Sequence, residues 1–450
     1  MTTTFLRLSS ITSAAVKWIR YTQTGTAVLG EPLKPSICGT VPGSKSKQMK
    51  VEMDSCHQAA SVKIFIDYEK SKEIISLMQM AMFFLMSTCK LLHYRLATAV
   101  SRPALGSFPP TFFTNAIKNS LISIAPKGCA GVQNVLCGSS SNENAIKAAF
   151  MWYQAQKRGG SPPTKEDLDS CMKHELPGTP NLSVLSFNGS FHGRTLTALS
   201  ITHSKPIHKV DLPAFRWPVA EFPRYKYPLE KNVAYNEQQD QKCLANVSRT
   251  TDKKWNEMKH DVAALIVEPI QGEGGDNHGS PAFFKVQTGG GGTGTFWAHD
   301  SWNLSSPPDI IVFAKKLMVS GYFYAKHLQM KEPLRIYNTW LGDPTKVILL
   351  EKALQVIKEI TCWNKHEKLG KNCKSANSSI IRNVRGLGTF CAFDMPDTAT
   401  RDKFLEIAGN NGLFVGGCGS ATVRFRPALI FGEKHLEIAL DIITKSLSKL

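Results

Sequence analysis

Residues 309–316 read DIIVFAKK, an apolar run that ends in a pair of lysines. Four apolar residues in a row, two of them β-branched isoleucines, predict a buried strand of a parallel sheet. Such sheets present their chemistry at the carboxyl ends of their strands, where Lys316 would lie. Partial desolvation lowers the pKa of a lysine amine and makes it a Schiff-base nucleophile. The alternative, from this stretch alone, is a solvated lysine pair in a loop.

The overall composition is typical of a globular protein. The chain has 450 residues, 42% of them hydrophobic and 20% charged, which predicts two or three domains or subdomains. The formal charge of +18 would suit a nucleic-acid-binding protein, but no RNP, zinc-finger or helix-turn-helix signature accompanies it. The eleven cysteines are scattered without a CxxC pair, which predicts neither a disulfide scaffold nor a structural zinc site. We therefore expect small-molecule partners, no nucleic acid and no metal.

The amino terminus has the composition of a targeting segment. Residues 1–30 contain Arg7, Lys17 and Arg20 together with many threonines and serines, and the first acid is Glu31. A basic, hydroxyl-rich and acid-free segment predicts a mitochondrial transit peptide, and hence a location in the mitochondrial matrix. A disordered amino terminus is the alternative. The apolar run over 75–86 is too short to cross a bilayer, so no membrane association is expected.

A turn of small residues precedes a predicted helix that runs through Ala148, Phe150 and Trp152 to Lys157. The sequence LCGSSSNENA over 136–145 leads into an apolar segment that ends near Lys157. Ser140 and Glu143 have the spacing of a capping box, and the free amides and dipole of a first helical turn form a seat for a phosphate. The alternative is a simple capped helix. No Gly-Lys-Ser/Thr follows, so the turn is not a Walker loop.

Two further strands are predicted to end in polar loops. The strand over 182–187 precedes NGSFHGRT at 188–195, where an aromatic ring, an imidazole and a guanidinium provide a stacking surface and a carboxylate fork. The strand over 262–267 ends at Glu268 and a proline, and the loop over 271–276 can place Glu273 beside a cation or a substrate amine. A metal site in this loop is the competing interpretation.

Eight motifs, in order along residues 101–450, give a family resemblance. They are SNENAIKAAFMWY, FHGRT, THSKPIHK, VEPIQGEGGDN, VQTGGGGTGTFWAH, NTWLGDPTK, VRGLGTFCAFD and GGCGSATVRFRP. With them the chain resembles the class III aminotransferases of the ornithine and 4-aminobutyrate type. The resemblance implies an α/β fold of the type I class that depends on pyridoxal 5'-phosphate. It implies a large cofactor domain over 101–345 with a mostly parallel central sheet, and a smaller α/β domain over 346–450, with 31–100 poorly matched.

The resemblance also implies roles for individual residues. Lys316 would form the Schiff base with the cofactor, and 4-aminobutyrate would donate its amino group, which 2-oxoglutarate would accept in a homodimer whose sites lie between subunits. The implied cofactor contacts are Gly138 and Ser139 to the phosphate, Phe191 and His192 around the ring, Gln287 on its hydroxyl side, and Thr339 from the partner subunit. The implied substrate contacts are Arg194 and Arg424 to carboxylates, with Glu273 pairing with Arg424.

One departure from the family pattern concerns the centre of the sheet. Between the strands predicted at 262–267 and 310–313, the family fold has another helix and a strand that ends in an acid, whereas here Lys285 runs directly into Val286. That acid keeps the pyridine nitrogen protonated, and without it the ring withdraws electrons poorly. Two hypotheses therefore stay open at this point: an active transaminase, or an impaired relative that binds cofactor or dimerises without turnover.

Overall fold

The computed structural model describes residues 40–58, 62, 64–65, 105–258, 260–284, 297–302, 304, 307–360, 380–388, 390–427 and 431–450. The predicted transit peptide, the apolar run at 75–86 and the helix predicted within 71–100 lie outside the described residues. No helix in the described ranges is long and apolar enough to span a bilayer.

Ten helices occur in the described part of the chain. They are α1 Ser44–Asp54, α2 Phe113–Asn119, α3 Gly138–Lys157, α4 Lys165–Cys171, α5 Leu196–Ser200, α6 Val233–Met258, α7 Pro281–Phe284, α8 Pro344–Ile360, α9 Thr398–Asn410 and α10 Glu433–Leu447. The sequence over 346–450 predicts helices near 346–361, over 401–410 and from 434, which α8, α9 and α10 confirm to within a few residues. The helix predicted to end at Lys157 is confirmed as α3, which begins earlier, within the predicted turn.

Twelve strands accompany these helices in the same described ranges. They are β1 Cys129–Val135, β2 Leu182–Phe187, β3 Val219–Ala220, β4 Asp261–Leu265, β5 Ile270–Gln271, β6 Asn277–His278, β7 Ile310–Phe313, β8 Ser320–Ala325, β9 Arg382–Leu387, β10 Phe390–Asp394, β11 Gly416–Cys418 and β12 Thr422–Phe425. The strand predicted over 388–393 is β10. The positive φ of Gly386 and Gly388 turns the chain there, so that β9 precedes it.

The strands between Cys129 and Ala325 include two separate three-stranded sheets. In one sheet β2 lies between β3 and β4, and both of its pairings are parallel. In the other, β8 lies between β1 and β7, and both pairings are antiparallel. The strand predicted at 310–313 is therefore confirmed, but its described pairing is antiparallel rather than parallel. Helix α3 packs against β4, β7 and β8 and so bridges the two sheets.

The two sheets have facing edges that lack a partner strand. Among the described residues, β4 pairs only with β2, and β7 pairs only with β8. Side chains alternate between the two faces of a strand, so a cavity that touches successive residues must meet the strand at its edge. One cavity touches every residue from Val262 to Ile270 and also residues 312–318. The space between β4 and β7 is thus a gap of the kind that one more strand would fill.

Separate apolar cores stabilise the two sheets and the four-stranded sheet formed by β9–β12. Ile311 and Phe323 pack with α2 and α8 on the β7–β8 side, and Leu185 and Phe187 pack with α6 and α7 on the β2–β4 side. Near the carboxyl end of the chain, α9 and α10 cover the sheet of order β11-β12-β10-β9, and Phe404 is fully buried in that core. Burial of apolar surface at each place is the main stabilising contribution.

Candidate active site

The cavity between β4 and β7 is the centre of the candidate site. Its volume is about 1160 Å³. The beginning of α3, the loop after β2, the end of β4 and the lysine pair after β7 all line it. Gly138 and Lys316 therefore face one space, although 178 residues of sequence separate them. The predicted phosphate seat and the predicted reactive amine are brought together by the fold.

The first turn of α3 forms the predicted anion seat. Its N-cap residue, Cys137, is extended, and no side chain caps the helix, so the first amides are left for another acceptor. A Cβ atom on Gly138 would come within 3.2 Å of the Ala314 Cβ atom, and one on Gly193 would lie 2.3 Å from Ser139 Oγ. Glycine at both positions thus keeps this corner of the cavity open.

The predicted capping box at this helix is wrong. Ser140 lies inside the helix, where its hydroxyl contacts Cys137 Sγ at 3.3 Å. Glu143 instead accepts a hydrogen bond from Thr195 Oγ1 at 2.5 Å, and Arg194 N donates to Ser139 Oγ at 3.1 Å. These two contacts hold the 191–195 loop against α3. The Glu143 carboxylate therefore stabilises the packing of this loop and does not cap the helix.

The two lysines after β7 point to different parts of the cavity wall. Lys316 Nζ donates to the Pro427 carbonyl at 3.5 Å, and burial followed by the charge of Arg426 lowers the pKa of its amine. Lys315 Nζ lies 5.9 Å from the centre of the Phe191 ring. A lowered pKa leaves more of the Lys316 amine unprotonated near neutral pH, as a Schiff-base nucleophile requires.

The loop after β2 supplies an aromatic ring and a buried imidazole. Phe191 lines the cavity, and the Arg194 guanidinium lies 5.7 Å from the centre of its ring. His192 is buried, its backbone N–H donates to Thr202 Oγ1 at 2.9 Å, and its Nε2 atom has no hydrogen-bond partner. Burial lowers the pKa of His192 to about 3, so the ring is neutral at physiological pH.

Glu268 is a half-buried residue of the cavity wall, just after β4. Its two oxygens accept hydrogen bonds from Phe191 N at 2.8 Å and Gly272 N at 3.2 Å. Burial nevertheless raises the pKa of Glu268 to about 7, with the backbone donors and the charges of Lys315 and Arg426 acting in the other direction. The sequence identified this residue only as the end of a strand, although an acid directly after a buried strand is the signal that could have found it.

The predicted Glu273–Arg424 pair is formed. Arg424 Nη2 lies 2.8 Å from Glu273 Oε1, and Lys205 Nζ approaches the other oxygen at 3.4 Å. Burial would raise the pKa of Glu273, but the two cations lower it overall. Arg194 lines the cavity and donates from Nη2 to His208 Nε2 at 3.1 Å. The sequence did not single out the roles of Lys205 and His208.

Four predicted site residues are not among the described residues that line this cavity. Glu273 and Arg424 pair with each other beside it. Gln287 lies outside the described residues. Thr339 is exposed in the loop before α8 and is not among the described residues that line the cavity of its own chain. Its predicted contact to the cofactor of the partner subunit stays a prediction.

The described residues fit the phosphate and the aldehyde of pyridoxal phosphate. The uncapped start of α3 beside Gly138 and Ser139 suits a phosphate, and the amine of the exposed Lys316 side chain, which lines the same cavity and has a lowered pKa, suits an aldehyde. Phe191 offers a stacking face, and the unpartnered His192 Nε2 is a free polar atom nearby. In the described ranges, the half-buried Glu268 and the exposed Asp309 are the acids that line this cavity, and no strand between β4 and β7 brings another.

Comparisons with known proteins agree with this geometry. The model of the family described as aminotransferase class III matches residues 93–447. A probable mitochondrial 4-aminobutyrate aminotransferase of Caenorhabditis elegans is 50% identical, covering 93% of this chain and 95% of that protein. The mitochondrial 4-aminobutyrate aminotransferase of Sus scrofa is 40% identical, covering 92% and 91%.

A solved structure supports the same conclusion on the fold. A lysine aminotransferase from M. tuberculosis aligns with a TM-score of 0.70 at 25% identity, covering 81% of this chain and 86% of that one. An omega-transaminase from Thermomicrobium roseum aligns with a TM-score of 0.63 at 17% identity and so shows the fold alone. The α/β fold class predicted from the sequence is confirmed.

Proposed function

Because the chain belongs to the class III aminotransferases, which are enzymes that depend on pyridoxal phosphate, we propose that it transfers the amino group of 4-aminobutyrate to 2-oxoglutarate. The products would be succinate semialdehyde and glutamate. The observation that carries this proposal is the single cavity that joins the anion seat at Gly138 and Ser139 to the Lys316 amine. The names of the relatives support the choice of 4-aminobutyrate as the donor.

The residues of the site have distinct roles in this reaction. Pyridoxal phosphate, when bound, supplies an aldehyde that captures the substrate amine and a ring that withdraws electrons from the neighbouring carbon. Gly138 and Ser139 would hold its phosphate, Phe191 would offer a face to its ring and His192 would lie nearby, while Gln287 keeps its predicted role on the hydroxyl side. Lys316 Nζ then carries a proton between carbon atoms as a general acid and base. His192, with its low pKa, adds no charge to the pocket.

Two arginines serve the two substrates. Arg194, whose guanidinium lies beside Phe191, binds the carboxylate of 4-aminobutyrate as a planar fork. Arg424 is neutralised by Glu273 in the described conformation, which suits a substrate that has an amine and no carboxylate at the reacting carbon. Release of Glu273 frees Arg424 for the α-carboxylate of 2-oxoglutarate. Two receptors are needed because the substrates carry carboxylates at different distances from that carbon.

The setting proposed for this activity follows the relatives. We place the protein in the mitochondrial matrix, since relatives are named as mitochondrial. We also propose a homodimer in which Thr339 contributes to the site of the partner subunit, because that residue is exposed on its own chain.

The adjacent lysines provide a matched test. The full chain is incubated with pyridoxal phosphate, reduced with borohydride and mapped by peptide mass spectrometry. We expect the label on Lys316, its loss in Lys316→Ala and its retention in Lys315→Ala. Transamination of 4-aminobutyrate should fall by about 10²–10⁴-fold or more in Lys316→Ala, because a proton-transfer group is lost. Failure to label any lysine would contradict the proposal.

An impaired relative is the second candidate. It is favoured by the gap between β4 and β7, since in the described ranges no strand lies there to carry a further acid. In that case the chain would take the label on Lys316 and yet convert 4-aminobutyrate no faster than Lys316→Ala does. Robust turnover by the unaltered chain would exclude this candidate.

A further inference from the structure

Arg426 of the segment after β12 reaches the cavity from the smaller domain. Its guanidinium lines the cavity and lies 4.3 Å from the centre of the Phe390 ring. Arg424, two residues earlier, pairs with Glu273 and is not among the described residues that line this cavity. Arg424 is therefore held by Glu273, whereas Arg426 pairs with Asp276 of the same loop. Of the two arginines, Arg426 is the one that lines the cavity with the lysine pair.

A buried carboxylate fixes the position of Arg426. Asp276 has no exposed surface, and its Oδ1 atom lies 2.8 Å from Arg426 Nη2. The backbone around this acid is itself held, because Arg385 donates from Nε to the Asp276 carbonyl at 3.0 Å and from Nη2 to the Gly275 carbonyl at 2.5 Å. A Cβ atom on Gly272 would lie 2.5 Å from Arg426 Nη2, so glycine leaves room for the guanidinium.

The same segment contacts the reactive amine. Pro427, which follows Arg426, accepts a hydrogen bond through its carbonyl from Lys316 Nζ at 3.5 Å. The other ionisable groups on the described walls near the lysine pair are Cys137 and Lys346 around α3 and α8, His192 and Arg194 after β2, Glu268 after β4, and Lys315 itself. Farther along the wall, His327 pairs with Asp309 at 3.2 Å.

We propose that Arg426 is a positioning residue that keeps the Lys316 amine unprotonated and oriented. Asp276 anchors its guanidinium as a fixed positive charge on the wall of the cavity that Lys316 also lines, and the adjoining Pro427 carbonyl accepts the hydrogen bond of that amine. A nearby cation disfavours the ammonium form and so favours the nucleophile. The inference rests on the proposed function, in which Lys316 is the reactive lysine.

The direction of the lysine pKa agrees with this arrangement. Burial lowers the pKa of Lys316 most, and Arg426 is the charged group that lowers it further. Arg426 is also among the cations that act on Glu268. One guanidinium from the smaller domain therefore biases both the amine and the acid of the cavity, so their protonation depends on how that domain lies against the large one.

The test measures the Lys316 amine directly, without cofactor. The full chain is acetylated with trace acetic anhydride between about pH 6 and 11, a range that brackets an ordinary lysine pKa, and peptide mapping gives the midpoint for Lys316. In Arg426→Gln we expect the midpoint to move to higher pH and labelling near neutral pH to slow several-fold. Arg426→Lys should restore most of the unaltered behaviour, because it keeps the charge. Arg424→Gln should leave the midpoint unchanged.

A second variant guards against misfolding. Arg426→Gln leaves Asp276 buried and unpaired, which is strongly destabilising. The double variant Arg426→Gln/Asp276→Asn removes both charges and should show the same rise in the Lys316 midpoint. An unchanged midpoint in the double variant, or an equal rise in Arg426→Lys, would overturn the inference. Cofactor trapped on Lys315 instead would overturn the proposed function alone, because acetylation requires no cofactor.

Discussion

Strands β2 and β4 are neighbours in one parallel sheet, yet their surroundings differ. All six residues of β2 are buried, whereas in β4 only Asp261 is buried and the next four residues are half-buried. Their compositions do not explain this, since the chain over 261–267 is as apolar as that over 182–187. The difference lies at the edge of each strand that faces away from the other. Strand β3 pairs with this edge of β2, whereas the cavity borders this edge of β4. Burial of a strand thus depends on its neighbours more than on its own residues.

The comparison is tested most strongly by truncating two paired leucines. Leu185 of β2 and Leu265 of β4 are Cα partners across the sheet, and only Leu185 has no exposed surface. We expect Leu185→Ala to lower the free energy of unfolding by about 3 kcal/mol and Leu265→Ala by about 1 kcal/mol, because the edge can relax and already touches solvent. Denaturant unfolding of both variants gives the difference. Equal costs would show that the edge of β4 is as tightly packed as the centre.

A second test uses the acid that follows β4. The folded-state pKa of Glu268 is about 7, against an ordinary value of 4.5, so the folded protein holds the extra proton between these values. Stability therefore falls as pH rises through this window, by a contribution on the order of 3 kcal/mol. In Glu268→Gln this decline should largely disappear when the free energy of unfolding is compared at about pH 5 and pH 7.5.

Glu273 provides the control of opposite sign. Its pKa is lowered in the folded state, so it contributes stability above its ordinary pKa and loses it as pH falls through the lowered value. Glu273→Gln should therefore flatten the acid side of the profile and leave the window above about pH 5 unchanged. If Glu268→Gln and Glu273→Gln changed the stability profile over the same pH range, burial of Glu268 beside the β4 edge would not explain the decline between about pH 5 and pH 7.5.

The smallest expected effect lies at the beginning of β4. Lys157 of α3 contacts the Asp261 carboxylate, and its own side chain is 48% exposed. Because the lysine is well solvated, we expect Lys157→Met to lower the free energy of unfolding by about 1 kcal/mol, and less at high salt. Lys157→Arg is the matched variant that keeps the charge. If Lys157→Met lowered the free energy of unfolding by several kcal/mol at every salt concentration, the Lys157–Asp261 pair would be buried from solvent, contrary to this expectation.

Local patterns were sufficient for the individual elements. The apolar runs at 182–187 and 310–313 predicted β2 and β7, and the pattern through Ala148, Phe150 and Trp152 predicted α3, although the small residues from Gly138 onward already belong to the helix. The motifs also predicted Lys316 and Arg194 as residues of one site, and the structure places both on the cavity wall. These features depend on residue type and short spacing, which a sequence displays directly.

The interactions that adjust the site were decided only by the tertiary structure. Glu143 has the spacing of a capping residue, but the 191–195 loop lies close enough to take its carboxylate. Burial raises the pKa of Glu268, and Arg426 reaches the cavity of Lys316 because the segment after β12 lies against the loop of Asp276. The sequence alone determined which strands, helices and reactive groups exist. Their burial, pairing and protonation arise between segments distant in sequence, because desolvation and Coulomb interactions depend on distances in space.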